Sequence, residues 1–172
     1  MIILETERLL FRDHEPEDLD PFCAMEADAE GRRYVGGQPR TRADAERKFR
    51  NVYLPAVRNR LGMWATIMKS ERRYIGYCGI YPHFSGAGPI PGEGTLGFYL
   101  ARLYWRQGLA TETGRAFIEF GFNELQLKRV VSAVEVGNDA SIHVLEKLGF
   151  LWVGLEEGER RSFHHFELRR PQ

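Results

Sequence analysis

Apolar and polar residues change rhythm several times along the chain, and each change marks an element. In "TERLLFRD" the run Leu9 to Arg12 reads as a short first strand. "HEPEDLDPFCAMEADAE" follows as a helix, with Pro16 suited to its first turn and Leu19, Phe22 and Cys23 in an apolar stripe. "GRRYVGGQP" has no period and reads as a loop. Thr41 and Asp44 then stand in a capping arrangement, and Ala45, Phe49, Val52 and Tyr53 recur at helical spacing until Pro55 ends or distorts the helix.

From Met63 the pattern turns strand-like. "MWATIMKS" and "RRYIGYCGIY" predict two strands joined by a polar turn near Ser70 and Glu71. "SGAGPIPGEG" reads as a Gly/Pro loop, and "TLGFYLA" as the next strand. Helical spacing returns in "GLATETGRAFIEFGFN", with Leu109, Thr113, Ala116, Phe117 and Phe120 on one face. "RVVSAVEV" is a strand of valines. "NDASIHVLEKLGF" is a short helix: Asn138 caps its start, Gly149 suits a left-handed stop, and Phe150 is placed against Leu145. Strands around Leu151 to Leu155 and Phe163 to Leu168 finish the chain. No repeat, low-complexity tract or linker interrupts this order. It predicts one α/β (α+β) domain over residues 1–172, with a mixed, mostly antiparallel sheet of six or seven strands and helices on both faces.

Composition narrows the classes. A chain of 172 residues suits one domain with a single core, and 43% hydrophobic against 28% charged residues excludes a disordered chain. Lys+Arg and Asp+Glu number 24 each, which argues against a nucleic-acid partner, whose affinity needs surplus positive charge. Cys23 and Cys78 form no C-x-x-C pair and read as reduced, structural thiols of a cytoplasmic protein. No apolar run approaches the roughly 20 residues of a membrane span. The opening "MIILETERLLFRDHE" is too broken by charge for a signal peptide.

Two glycine stretches compete as phosphate sites. Gly92-Glu93-Gly94-Thr95-Leu96-Gly97 matches the dinucleotide G-x-G-x-x-G, and Glu112 follows at a suggestive distance. Its context is wrong: a Gly/Pro loop precedes it and the strand-like Phe98-Tyr99-Leu100 follows, where a helix should begin. The second stretch, Trp105-Arg106-Gln107-Gly108-Leu109-Ala110, leads from a strand into a helix. The first turn of a helix leaves about four N–H groups unpaired, with roughly half a positive charge from the dipole. Gly108 permits close approach, Ala110 does not block it, and Arg106 and Gln107 add donors, so an anion fits here as well as an ordinary helix start does.

"GFYLARLYWRQGLATETGRAFIEFGF" followed by "RVVSAVEVGNDASIHVLEKLGF" resembles the second half of a GNAT-superfamily N-acetyltransferase. It is most similar to the branch that includes the acetyltransferases of ribosomal-protein N-termini, and "LETERLLFRDHEPEDLDPF" is similar to that branch's start. Of the family motif Gln/Arg-x-x-G-x-Gly/Ala, Gly108 and Ala110 are present and Trp105 replaces the first anchor. The resemblance implies acetyl-coenzyme A as cofactor, its pyrophosphate on the backbone of Arg106, Gln107, Gly108, Leu109, Ala110 and Thr111. It also implies a splayed strand pair, with the pantetheine arm along Phe98, Tyr99 and Leu100. Main-chain groups of Tyr99 and Leu100 would hold that arm, and Asn138 and Ser141 would touch coenzyme A from the last helix.

The implied reaction is direct transfer of acetyl to a primary amine in a ternary complex. The acceptor would be a peptide N-terminus or a small-molecule amine. A lysine-like amine of pKa near ~10.4 is only about 0.04% neutral at pH 7, so a base helps, whereas an α-amine near ~7.7–8.0 needs less help. The Leu100 N–H is the expected oxyanion donor. Many relatives place an acidic tyrosine where this chain has Leu145, which leaves Ser141, one turn earlier, as the candidate acid. Thr95 occupies the position of a frequent glutamate, so Glu93 or His83 is the candidate base, with a water relay as the third route. Tyr34 is the candidate for the acceptor groove. His164 and His165 should face opposite sides of a strand, so no metal is expected. A non-catalytic acyl-coenzyme A-binding module is the alternative, and the resemblance leaves a homodimer open.

Overall fold

Leu9 and Phe11 are fully buried while Leu10 and Arg12 between them are half-buried, the period-two signature of a strand inside a sheet. In the computed structural model, which describes residues 1–55 and 60–171, this strand is β2 (Leu9–Arg12), not the first. Ile2–Glu5 forms β1 ahead of it, an edge strand with two exposed and two half-buried residues that do not alternate. The other strands are β3 (Gly62–Met68), β4 (Arg73–Ser85), β5 (Gly88–Leu100), β6 (Arg129–Glu135), β7 (Leu151–Glu156) and β8 (Phe163–Arg169). They make one sheet in the order β1-β2-β3-β4-β5-β6-β8-β7, antiparallel at every step except β5–β6. The fold class is the expected one; the described residues form eight strands, not six or seven.

The helices are α1 (Leu19–Ala27), α2 (Ala29–Arg32), α3 (Arg42–Lys48), α4 (Leu109–Asn123) and α5 (Asp139–Lys147). They lie on the two faces of the sheet and divide the core. Phe22, Cys23, Ala45 and Phe49 pack with Tyr74, Tyr77 and Tyr99 on one face. Leu109, Phe117, Phe120 and Leu145 pack with Phe11, Ile75, Leu96 and Leu100 on the other. Cys23 and Cys78 are free and buried, and burial pushes the Cys78 thiol up to about 11.

Three local expectations need correction. The stretch "SGAGPIPGEG" is mostly strand, the tip of a long β4–β5 hairpin. Its prolines, Pro89 and Pro91, precede Glu93, where β6 pairing begins, and Pro82 on the facing strand lies beyond Ile80, the end of β3 pairing, so the outer side of the hairpin has no partner strand to deny a hydrogen bond. The loop "GRRYVGGQP" starts with the end of α2, capped by Asp28. After α3, residues Phe49–Tyr53 widen into a π turn, which leaves Val52 63% exposed although its spacing suggested the buried face.

β5 and β6 pair in parallel only at Glu93–Thr95 against Arg129–Val131. Beyond those three rungs, β5 stays with β4 as far as Leu100 and β6 stays with β8 as far as Glu135. The two strands therefore part and leave a fork in mid-sheet.

Candidate functional site

The turn after β5 carries the family-like motif. A short 3-10 turn (Arg102–Tyr104) leads to Arg106, whose φ is +60°, and to Gly108, φ +77°, the residue before α4. A Cβ at Gly108 would meet only Arg8 at 3.7 Å, so glycine is needed here for conformation, not for space within the protein. No side chain caps α4, and its first-turn amides stay available to a ligand. The glutamate of the false dinucleotide match, Glu112, has a structural task. It accepts hydrogen bonds from Thr6 Oγ1 (2.5 Å) and Arg8 Nε (2.6 Å), and Arg8 Nη1 donates to the Gln107 carbonyl (2.9 Å). Burial pushes the Glu112 carboxyl up, but these donors outweigh it and hold the group below the usual carboxylate range. Gly92–Gly97 lies within β5 and opens no helix.

The strand direction sorts the arm-holding residues. Ala101 N–H donates to Ile75 O, so by antiparallel alternation the main chain of Tyr99 bonds to Tyr77 in β4. That of Phe98 and Leu100 turns the other way, into the fork; Leu96, in the same phase, accepts from Ser132 Oγ of β6 (3.1 Å). Tyr99 was expected to hold the arm with Leu100, but its main chain is committed to the ladder and its hydroxyl donates to Met25 O (2.8 Å). Trp105 closes the strand end by donating its indole N–H to the Leu100 carbonyl at 2.7 Å. A cleft of about 340 Å³ runs from Leu100 and Ala101 to α1, and the Arg102–Asp28 ion pair (3.4 Å) lies at its rim.

The last helix begins just past the end of β6, the other arm of the fork. The Asn138 side chain accepts from Ser141 N–H (3.3 Å) and so is engaged in capping α5. Gly149, φ +84°, and the bond from Phe150 N–H to Leu145 O (3.0 Å) close it in a Schellman turn. Leu145 is wholly buried, while Ser141, one turn earlier, is half-buried. Gly114 of α4 lies against Leu148, and this close approach seats α5 beside α4. Tyr34 crosses from the loop after α2 to the turn before α5, its hydroxyl 3.6 Å from where a Cβ on Gly137 would stand.

At the vertex of the fork, the two candidate bases meet. His83 Nδ1 lies 3.3 Å from Thr95 Oγ1, and its Nε2 lies 4.0 Å from Glu93. Glu93 also accepts from Arg129 (2.6 Å), whose other nitrogen reaches Glu167 at 2.9 Å. The arginine thus ties the Glu93 carboxylate to β8. His164 and His165 point apart, to Trp152 and Glu156, and no metal-holding group of three His, Cys, Asp or Glu residues occurs among the described residues.

Sequence reasoning missed two features. Arg129 as a link between three strands left no local signal. Glu26 did: it falls in the apolar stripe of α1 with Phe22 and Cys23, and in the fold it is fully buried among Arg32, Arg40 and Lys48.

Comparison with known proteins agrees with this geometry. The family model described as an acetyltransferase (GNAT) domain matches residues 8–151. The uncharacterized N-acetyltransferase p20 of Bacillus licheniformis is 33% identical over 159 residues, 90% of this chain and 85% of that protein. An acetyltransferase structure of the GNAT family from Bacillus anthracis superposes with a TM-score of 0.83 at 20% identity, covering 98% of both chains. RimL, the ribosomal L7/L12 alpha-N-protein acetyltransferase solved in complex with coenzyme A, superposes with a TM-score of 0.80 at 14% identity, again covering 98% of each chain. A fork in the sheet beside an uncapped helix start thus coincides with a match over most of the sequence, and the chain belongs to the GNAT acetyltransferase family.

Proposed function

We propose that the protein is an acetyl-coenzyme A-dependent N-acetyltransferase that moves the acetyl group directly to a primary amine. The fork carries this reading: Phe98 turns its main-chain groups and Leu100 its N–H into it, and the amides from Arg106 to Thr111 stand at its open end. These residues fit a thioester cofactor with a diphosphate. Gly108 supplies the left-handed turn and a surface free of side chain, and Arg106 and Gln107 add donors. Bound there, acetyl-coenzyme A supplies an activated acyl group.

The chain's own residues do the rest. Leu100 N–H faces the gap and would donate to the acyl oxygen of a thioester held there, an effect typically worth roughly 2.7–4 kcal/mol. Phe98, in the same phase, offers a second main-chain donor. His83, held by Thr95 five residues along β5 from Leu100, would take the amine proton through a chain of waters, with Glu93 4.0 Å behind it. Ser141, half-buried on α5, would donate its hydroxyl proton to the sulfur of the bound thioester and regain one from solvent. Asn138 holds the first turn of α5 in place, and Tyr34 forms a wall on the acceptor side.

The acceptor class in this reading is a peptide N-terminus or a small amine, in keeping with the substrate named for RimL. No helix among the described residues is long and apolar enough to cross a membrane. The other reading is an acyl-coenzyme A-binding module without turnover, favoured by the buried Leu145 in the place of an acidic tyrosine. Thiol release from acetyl-coenzyme A with a panel of primary amines, and mass analysis of the products, decides between them. Acetylated product supports transfer; binding with no release from any amine supports the module.

A further inference from the structure

The helical roof over the α1 face of the sheet carries an unbalanced charge. Glu26, 0% exposed, is the carboxylate partner of Arg32 (3.4 Å), Arg40 (2.7 Å) and Lys48 (3.5 Å), and it also accepts from Tyr77 Oη at 2.9 Å. Among the described residues no second carboxylate lies within ion-pair reach of these three cations. Residues 56–59 are Ala-Val-Arg-Asn and bring no acid. Within ion-pair reach one negative charge thus serves three positive ones; Asp44, itself paired with Arg47, acts on Arg40 from farther off.

The surplus is confined and partly desolvated. The Arg32 side chain is 3% exposed and donates to Gln38 O. Lys48 Nζ stands 5.9, 5.2 and 5.8 Å from the ring centres of Phe22, Tyr53 and Tyr77. Burial pulls the Lys48 ammonium below its usual range; Glu26 opposes this, and Arg40 and Arg32 add to it. Arg40 and Lys48 nevertheless keep 37% and 22% of their side chains exposed, so an incoming anion can reach both.

The place is next to the fork. Tyr77 pairs with Tyr99 in the ladder, their rings 5.3 Å apart, and Tyr99 directly precedes Leu100. The cluster lies over the same face of β5 as Thr95, which holds His83. We propose that the acceptor carries an acidic group, a carboxylate or a phosphate, at a distance from its reactive amine, and that Arg40 and Lys48 bind this group with Arg32 behind them. A cationic acceptor such as a polyamine would meet like charge there. This inference rests on the acetyltransferase reading for its place in the reaction, though not for the anion site itself.

Two measurements test it on the full-length protein. The first compares kcat/KM for three acceptors of equal length: an ω-amino acid, the matching alkylamine and the matching diamine. The acid is expected to lead by about tenfold or more, and Arg40→Gln to erase the lead. The second titrates glutarate, a carboxylate without an amine, into protein loaded with coenzyme A. Arg40→Gln and Lys48→Met are each expected to weaken its binding about tenfold, with coenzyme A affinity unchanged and melting curves confirming the fold. Equal rates for the three amines, a lead for the diamine, or glutarate affinity indifferent to both substitutions overturns the proposal. If no amine releases thiol, the transfer reading falls, and the glutarate titration still decides the anion site.

Discussion

The indole N–H of Trp105 donates to the main-chain carbonyl of Leu100 at 2.7 Å, so the residue that departs from the family motif fastens the turn to the end of β5. Trp105→Phe keeps the aromatic surface and removes the bond. The expected result is a loss of roughly 1 kcal/mol in unfolding free energy, the usual worth of such a bond, and weaker coenzyme A binding by calorimetry. Unchanged stability and affinity would leave the indole without this role.

Gly108 separates conformation from charge. At φ +77° an L-residue is strained by roughly 1–2 kcal/mol, so Gly108→Ala should lower stability and weaken coenzyme A binding modestly. Gly108→Asp adds a carboxylate beside the uncapped amides of α4, and its affinity should fall at least about another tenfold below that of Gly108→Ala. Equal affinities in the two variants would remove the phosphate assignment.

For the base, the prediction is an asymmetry. His83→Ala should lower kcat by about 10²–10⁴ in a steady-state assay. Glu93→Gln should cost less, because Arg129 already engages that carboxylate. Should Glu93→Gln prove the more damaging, the two roles are reversed.

Ser141→Ala should lower kcat more than it raises the dissociation constant of coenzyme A. Its backbone N–H remains free to bond Asn138, so helix α5 keeps its cap and the loss reads the hydroxyl alone. A change in affinity only would make the serine a binding residue.

His14 sets a pH limit on stability. It is 5% exposed, with Phe49, Tyr53, Tyr74 and Tyr77 around it, and desolvation lowers its pKa from 6.5 to about 4 despite the opposing pull of Asp18. Because the folded value lies below the unfolded one, the stabilisation is complete above pH 6.5 and is lost as pH falls towards 4. Up to about 3 kcal/mol is at stake. Melting curves across this window should slope downward in the native protein and much less in His14→Gln.

The sequence was legible where one rule governed a residue. Asn138, Gly149 and Phe150 obey local capping geometry, and all three stand as their spacing indicates. The dinucleotide look-alike could be dismissed because its context was local too. Reading failed where a partner distant in sequence decides. Pro89 and Pro91 look like loop residues until β6 is seen to begin pairing only at Glu93, which leaves their outer side without a partner strand. Tyr99 and Leu100 are adjacent letters, and only the bond from Ala101 to Ile75 fixes which of them faces the fork. Arg129 reads as an ordinary strand-start cation until Glu93 and Glu167 arrive from elsewhere in the chain.

Three rungs of parallel ladder make a short seam between a five-stranded and a three-stranded slab. A molecule lying along the opening acts as mortar, supplying the rungs that the backbone leaves out. Occupancy then stiffens the joint and raises the melting temperature by mass action, so heat resistance itself becomes a gauge of whether the slot is filled.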